Sequence, residues 1–293
     1  MHDDEFYIDV PLVRALLDDQ QPQIADLPLA PLPSHGTDHA IYRLGPDLCV
    51  RLPRHPGATE RHQIEQQWLP FIAPKLPLPI PTVLHRGFPH RDYPAHWSVC
   101  RWVEGEDAAT TPPEDLNGFA VDLARFVHAF WRISLRDGPR TRRGLPLQTQ
   151  DTAVRAALNS LQPLLDVTAL EPVWQTCLQA PAWNREPVWL HGDLLPSNLL
   201  LQGGRLSGII DFGLMGVGDP ACDLITAWSL LDAEARTLFR EQLAIDDATW
   251  ARGRGWALSI ALIILPYYWE TNPDLVRVAK QILTEIGGVF LSD

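Results

Sequence analysis

Two aspartates and an asparagine, Asp193, Asn198 and Asp211, lie close together in the sequence and carry the chemistry of a metal site. Mg²⁺ takes oxygen ligands and usually keeps several waters, so an amide oxygen and a carboxylate suit it. The residue types therefore indicate a divalent-cation site formed by two of these side chains, with another carboxylate beside it.

A β-hairpin is predicted to position these side chains. Two apolar runs, Leu199–Leu201 and Leu206–Ile210, flank a short polar stretch that contains Gly203 and Gly204. Two consecutive glycines between apolar runs indicate a tight turn, because both central residues of such a turn need positive φ.

The register of this hairpin predicts where the metal ligands lie. With the two glycines at the turn, Asn198 is expected to face Ile209. Asp211, two residues beyond Ile209, then lies on the same face as Asn198, and such diagonal neighbours are roughly 7–8 Å apart. Asp193 lies on the loop that leads into the hairpin, so we expect a Mg²⁺ bound by Asn198 and Asp211 with Asp193 next to it.

The composition excludes several classes of partner. The 293 residues have a net charge of −12, which argues against nucleic acid and anionic membranes and suits a cationic small molecule. The four cysteines form no CxxC pair, so buried free thiols in a reducing cytoplasm are expected. The acidic first residues are not followed by the apolar region of a signal peptide, and the longest apolar run, Trp256–Leu265, is too short to span a bilayer.

The order of several motifs carries a family resemblance. His191-Gly192-Asp193, Asn198, Asp211-Phe212-Gly213 and Gly218–Leu224 (GDPACDL) follow one another around the hairpin. This order resembles the catalytic loop and Asp-Phe-Gly segment of protein kinases. Gly192 stands where protein kinases have Arg, and HGD followed by GDPACDL is instead similar to the aminoglycoside phosphotransferase family of small-molecule kinases.

The resemblance implies a role for each residue of this region. Asp193 would orient the acceptor hydroxyl and accept its proton, and Asn198 and Asp211 would hold Mg²⁺. The segment from Gly213 to Gly218 is short and leaves little room for a peptide platform, which favours a small acceptor. Structural support is expected from three further residues: His191, Asp219 and Asp223.

The resemblance also implies a nucleotide site in the first part of the chain. Gly36 and Thr37 would lie in the loop that covers the phosphates, although the GxGxxG pattern is absent. Arg51 occupies the strand position at which kinases place the phosphate-binding Lys, and an Arg fork also grips phosphate. In the predicted helix Thr59–Phe71, Glu65 is the preferred partner for Arg51 and Glu60 the alternative.

The hinge and the domain organisation follow from the same resemblance. Trp102 and Val103 would contact the purine edge of ATP or GTP through backbone groups. The fold class expected is α+β, a protein-kinase-like two-lobed fold. A small, mainly antiparallel β lobe with one helix (1–103, nucleotide binding) precedes a larger, mostly helical lobe (104–293, catalysis and substrate binding). Helices are predicted over Asp223–Ala244, Thr249–Trp269 and Pro273–Ile286.

The function expected is transfer of the γ-phosphoryl group of ATP or GTP to a hydroxyl of a small molecule, such as an aminoglycoside or another antibiotic, with antibiotic resistance as the associated role. Macrolides, choline and homoserine are alternative acceptors.

Arg51 and the missing glycine-rich pattern also permit a pseudokinase-like module that binds nucleotide without turnover. A metal-dependent hydrolase using the same acids is a further alternative, although the hairpin offers few ligands for it. The acceptor would contact the C-terminal helices, where the candidate residues are Tyr268, Trp269, Glu270 and Asp274.

Overall fold

The computed structural model describes residues 5–32, 38–90, 92–134 and 137–291. The chain divides into two compact units, Met1–Glu104 and Gly105–Asp293. The boundary expected from the sequence, after residue 103, is adjacent to this division, and the functional roles of the two parts stay predictions.

An antiparallel sheet forms the centre of the first unit. Its described residues form β1 (Leu29–Pro31), β2 (His39–Leu44), β3 (Leu48–Pro53), β4 (Thr82–Gly87) and β5 (Trp97–Arg101), together with helices α1 (Val10–Gln20) and α2 (Pro56–Ile72). The strand order is β1-β2-β3-β5-β4, and all pairs are antiparallel.

The two faces of this sheet differ in chemistry because side chains alternate along a strand. One face contributes Val50, Val99 and Trp97 to the apolar core that includes residues of α1. On β3, the residue after Val50 is Arg51, which pairs with Ser98 and belongs to the opposite face. On that face Glu65 of α2 pairs with the Arg51 guanidinium.

The second unit is mostly helical. Its described helices are α3 (Leu116–Trp131), α4 (Asp151–Leu161), α5 (Leu170–Gln179), α6 (Thr226–Ser229), α7 (Ala233–Leu243), α8 (Asp247–Tyr268) and α9 (Pro273–Ile286). Its short strands are β6 (Glu106–Asp107), β7 (Leu165–Asp166), β8 (Val188–Leu190), β9 (Leu199–Gln202), β10 (Arg205–Ile209), β11 (Gly216–Gly218) and β12 (Val289–Phe290). They pair as β10-β9-β6, β11-β8 and β12-β7.

Helix α8 is the central element of this unit and packs against α4, α5 and α9. Its middle is buried and contains most of the apolar run that begins at Trp256, so this run is a core helix, as the sequence indicates. Along the described ranges, none of the helices has both the length and the hydropathy needed to cross a membrane.

The prediction of a single helix over Asp223–Ala244 is wrong. The segment starts as a 3₁₀ turn (Pro220–Leu224), continues as α6 and stops at Leu230, which has φ −145°. Asp232 then begins α7 by accepting a hydrogen bond from the Ala235 N–H at 2.9 Å. A new N-cap therefore divides an apolar pattern that is continuous in the sequence.

Candidate active site

The predicted hairpin is present as β9 and β10, with Gly203 and Gly204 at the turn. Their φ angles, +57° and +76°, are those that a primed two-residue turn requires. The register shifts between Leu206 and Gly208, so Ser207 is an extra residue in β10. Its hydroxyl donates to the Leu200 carbonyl oxygen at 3.1 Å, which stabilises this bulge.

The bulge corrects the predicted position of Asn198. Ile209 pairs with Leu199, and the Ile210 N–H donates to the Asn198 carbonyl oxygen at 3.0 Å. Asn198 therefore faces Ile210 and not Ile209, and the argument that placed Asp211 on the face of Asn198 by strand alternation is wrong. Asp211 instead follows Ile210 in the left-handed region, with φ +62°, so its own backbone sets its direction.

A circuit of hydrogen bonds joins the loop before β9 to the end of β10. The Asn198 side-chain amide donates to the Asp193 carbonyl oxygen at 2.9 Å and to Asp193 Oδ2 at 3.1 Å. The Asp193 N–H donates to His191 Nδ1 at 3.2 Å, and His191 Nε2 contacts the Ile210 carbonyl oxygen at 3.1 Å. Ile210 returns to Asn198 through its own N–H, so these four residues are fixed relative to one another, with Asp211 next in the chain.

His191 is neutral and contributes both of its ring nitrogens to this circuit. Nδ1 accepts a backbone N–H, so Nε2 carries the proton and donates to Ile210. Complete burial lowers the pKa of His191 to about 4, against opposing effects of the Asp211 carboxylate and the Ile210 carbonyl. Its ring also packs on Phe212, with centroids 4.4 Å apart. Both ring nitrogens are engaged, so His191 has no lone pair available to act as a base.

The Asp223 side chain holds the same loop through backbone hydrogen bonds. Its Oδ1 accepts the Gly192 N–H at 2.8 Å, and its Oδ2 accepts the His191 N–H at 3.1 Å and the Trp131 indole at 3.2 Å. Burial raises the pKa of Asp223 to about 6, although these hydrogen bonds oppose the increase. The carboxylate therefore holds two consecutive backbone amides directly before Asp193.

Asp219 belongs to a separate buried ion pair. Its carboxylate accepts two hydrogen bonds from Arg252, at 2.7 and 3.1 Å, and caps the Ala221 N–H at 3.1 Å. Arg252 and Trp131 were not among the residues expected from the sequence. Neither carries a motif, because each acts through a tertiary contact with an aspartate remote in the chain.

In the first unit, Arg51 and Glu65 form a buried ion pair. Arg51 Nη1 lies 3.1 Å from each Glu65 carboxylate oxygen. The two residues are 7% and 1% exposed. Because β3 and α2 place them opposite each other, Glu65 is the partner of Arg51, and Glu60 lies earlier on the same helix.

Four further residues are predicted from the sequence to contact the nucleotide, and the structure describes two of them. The Trp102 N–H donates to the Asp47 carbonyl oxygen at 2.8 Å, and the Arg43 guanidinium lies 4.2 Å from the Trp102 ring centroid. Val103 follows in the chain. Gly36 and Thr37 lie outside the described residues.

The acceptor-site candidates lie around the end of α8 and the start of α9. The Lys280 ammonium lies 4.7 Å from the Trp269 ring centroid, and Arg277 is 3.5 Å from the Asp274 carboxylate. Tyr268 packs against Tyr267, and these contacts form a partly exposed aromatic and charged surface.

The donor chemistry of the second unit fits Mg²⁺. The amide nitrogen of Asn198 points to Asp193, so its oxygen is left for another partner, and Asp211 offers a half-buried carboxylate. Both are hard oxygen ligands, the type that Mg²⁺ prefers.

Comparison with known proteins decides the family. A sequence model of the phosphotransferase enzyme family (APH) matches residues 30–256, most of the chain. The chain belongs to this phosphotransferase family. An aminoglycoside 3'-phosphotransferase of Streptomyces fradiae is 31% identical over 186 residues, which cover 59% of this chain and 62% of that protein. The chain thus spans less than two thirds of the length of this curated relative.

Solved structures with the same fold cover nearly the whole chain. The GDP and kanamycin complex of an APH(2'') enzyme has a TM-score of 0.74 at 20% identity, and the match covers 94% of this chain and 98% of that one. The macrolide 2'-phosphotransferase MphH from Brachybacterium faecium has a TM-score of 0.62 at 20% identity, with 94% and 97% covered. These matches confirm the kinase-like α+β fold expected from the sequence.

Proposed function

We propose that this phosphotransferase-family protein transfers the γ-phosphoryl group of ATP or GTP to a hydroxyl group of a small molecule, with Mg²⁺ as cofactor. The observation that carries the proposal is the Asn198 amide bound to Asp193, inside the hydrogen-bond circuit that also includes His191 and Ile210. The circuit fixes a partly exposed carboxylate next to the residues that would hold the cation.

Asp193 would act on the acceptor. Its Oδ2 is held by the Asn198 amide, which orients the carboxylate. An acceptor hydroxyl would hydrogen-bond the carboxylate and give up its proton to Asp193 as its oxygen bonds to the γ-phosphorus. The bond from phosphorus to the β–γ bridging oxygen breaks, and nucleoside diphosphate leaves with the electron pair. Most of the catalytic effect is positioning and electrostatic stabilisation.

Asn198 and Asp211 would hold Mg²⁺ through their side-chain oxygens. The bound ion supplies charge neutralisation for the phosphate oxygens. Arg51 would contact the phosphates, and its ion pair with Glu65 fixes its guanidinium before nucleotide binds. Because the Trp102 N–H is used within the first unit, Val103 is the better candidate for the purine contact, with Gly36 and Thr37 proposed at the phosphates.

An aminoglycoside is the favoured acceptor. The relative from Streptomyces fradiae is named for such an acceptor, and an APH(2'') neighbour was solved with kanamycin. A macrolide is the second candidate, because MphH is a structural neighbour. The net charge of −12 favours cationic acceptors of either kind. We place the protein in the cytoplasm, which suits its four free, buried cysteines.

The test is an acceptor panel with ATP or GTP and Mg²⁺, followed by nucleotide consumption and by a mass increase of one phosphoryl group on the acceptor. Asp193→Asn should lower kcat about 10²–10⁴-fold, the usual contribution of a positioned base. The matched control is Ser197→Ala, an exposed change in the same loop that should keep wild-type turnover.

Two results would contradict the proposal. Nucleotide binding without turnover on any acceptor would favour a pseudokinase-like module. Full turnover by Asp193→Asn would remove Asp193 from the chemistry.

A further inference from the structure

A cluster of two histidines and a glutamate lies in the first unit, next to Arg51. His39 lies on β2, two residues before Ile41, which pairs with Arg51 of β3. Because side chains alternate along a strand, His39 is on the same sheet face as Ile41 and Arg51. His62 and Glu65 are three residues apart on α2 and therefore share a helix face. His39, His62 and Glu65 are 5%, 1% and 1% exposed.

The three ligand atoms form a compact triangle. His39 Nε2 and His62 Nδ1 are 3.1 Å apart, and Glu65 Oε2 lies 4.0 Å from the former and 3.9 Å from the latter. From these three lengths, the point equidistant from the atoms is about 2.1 Å from each, which matches Zn–N and Zn–O bonds of about 2.0–2.2 Å.

We propose that His39, His62 and Glu65 bind a divalent transition metal ion, Zn²⁺ in preference to Mg²⁺. Two imidazoles and one carboxylate are a set that Zn²⁺ accepts, whereas Mg²⁺ requires oxygen ligands and gives up its waters reluctantly. This site is distinct from the cation site of Asn198 and Asp211 and uses none of its residues.

The surroundings of the histidines suit ligation. Metal-bound imidazoles must be neutral. Burial, with the Arg51 charge as a smaller cause, lowers the pKa of His62 to about 3, and the same causes lower that of His39. The second ring nitrogen of His62 lies 3.3 Å from the Gln66 side-chain amide, which donates to the Trp97 carbonyl oxygen at 2.6 Å, so hydrogen bonds outside the triangle orient this ring.

The Arg51 guanidinium limits the affinity of this site. It is a fixed positive charge 3.1 Å from the Glu65 oxygen that would bind the metal. The expected site is therefore a regulatory one of moderate affinity and not a structural zinc centre. It also shares Glu65 with the ion pair that positions Arg51, so Zn²⁺ should weaken nucleotide binding. This last consequence rests on the proposed function, and the metal binding itself does not.

The experiment titrates the full-length protein with Zn²⁺ against a chromophoric chelator and records the absorption spectrum with Co²⁺ as a spectroscopic substitute. The wild type should bind one ion with nitrogen and oxygen ligands. His39→Gln and His62→Gln should each weaken binding by at least about 100-fold, the upper range for loss of an outer-shell partner. His85→Gln, on β4 of the same unit, is the matched control and should leave affinity unchanged.

The same proteins are then tested for binding of fluorescent ATP and GTP analogues in excess Mg²⁺, with and without Zn²⁺. Zn²⁺ should lower nucleotide affinity in the wild type and not in His39→Gln. Absence of nucleotide binding in every condition would count against the proposed function and leave the chelator result intact.

The metal proposal is overturned if the wild type does not compete with the chelator, or if folded His39→Gln and His62→Gln bind Zn²⁺ as the wild type does. The 3.1 Å contact between the imidazoles would then be a hydrogen bond only. Should either variant fail to fold, the Co²⁺ spectrum of the wild type alone decides: no new absorption bands would also overturn the proposal.

Discussion

Replacement of Asp223 by Asn tests how the loop before Asp193 is held. The wild-type carboxylate accepts the N–H groups of His191 and Gly192 on separate oxygens. An asparagine keeps one oxygen and turns an NH₂ group toward the other N–H. With the retained oxygen at the Oδ2 position, which serves His191 and Trp131, the Gly192 N–H loses its acceptor, and one such buried donor costs about 1–3 kcal/mol.

The charge of Asp223 works in the opposite direction. Its pKa, raised from 3.8 to about 6, means that ionisation opposes folding as pH rises through this interval. The shift corresponds to about 3 kcal/mol at neutral pH and about half of that at pH 5. Asp223→Asn removes this cost, so its net effect on the free energy of unfolding should be small at pH 7 and more destabilising at pH 5, by about 1 kcal/mol.

Turnover should respond differently from stability. The loop amides that Asp223 holds precede Asp193, and a displacement of about 1 Å at a catalytic group costs on the order of 100-fold in rate. We therefore expect Asp223→Asn to lower kcat about 100-fold while the KM for nucleotide changes little.

Urea unfolding at pH 5 and pH 7, together with steady-state kinetics, measures both effects. Asp232→Asn is the matched control, because Asp232 is an exposed N-cap and Asn caps a helix equally well. Wild-type kcat in Asp223→Asn would refute the positioning role. A destabilisation that does not depend on pH would refute the raised pKa.

Two further predictions concern buried ionisable groups. Three buried histidines have pKa values lowered by burial, so the unfolded state binds more protons below pH 6.5: His39, His62 and His191. Each should lower the free energy of unfolding by about 1 kcal/mol between pH 7 and pH 5.5. Urea unfolding should show a loss smaller by about 1 kcal/mol in His62→Gln than in the wild type. Asp219→Asn should destabilise the protein by about 3–5 kcal/mol, because Arg252 stays charged and buried. The double variant Asp219→Asn, Arg252→Met should regain part of this loss in the same assay. Equal stability of the single and double variants would contradict the argument.

The sequence predicts those parts of the fold and site that depend on local chemistry. Gly203 and Gly204 identify the turn because few other residues adopt two consecutive positive φ angles. The pairing of Arg51 with Glu65 follows from the family resemblance, which implies a glutamate on the helix after this strand as the partner of its basic residue. The family follows from motif order, because HGD, Asn198, the hairpin and GDPACDL are close in the chain.

Features that depend on tertiary context could not be predicted in the same way. The Ser207 bulge leaves no mark on the polarity pattern, so the register and the position of Asn198 were wrong by one residue. The start of α7 at Asp232 interrupts an apolar pattern without a glycine or proline. The contact of His39 with His62 joins a strand and a helix whose packing angle the sequence does not specify.

Gly192 has a consequence for the control of this loop. Its φ is +81°, and a Cβ atom there would lie 2.8 Å from the Leu214 carbonyl oxygen and 3.0 Å from Arg143 Cβ. Protein kinases have Arg at this position, and arginines paired with phosphorylated residues order kinase activation loops. Any side chain at residue 192 would need a strained left-handed backbone and a shift of the Leu214 carbonyl, so substitution of Gly192 by Arg should disrupt this loop. A phosphorylated residue in a neighbouring segment would therefore find no arginine at position 192 to pair with, in contrast to the loops of protein kinases.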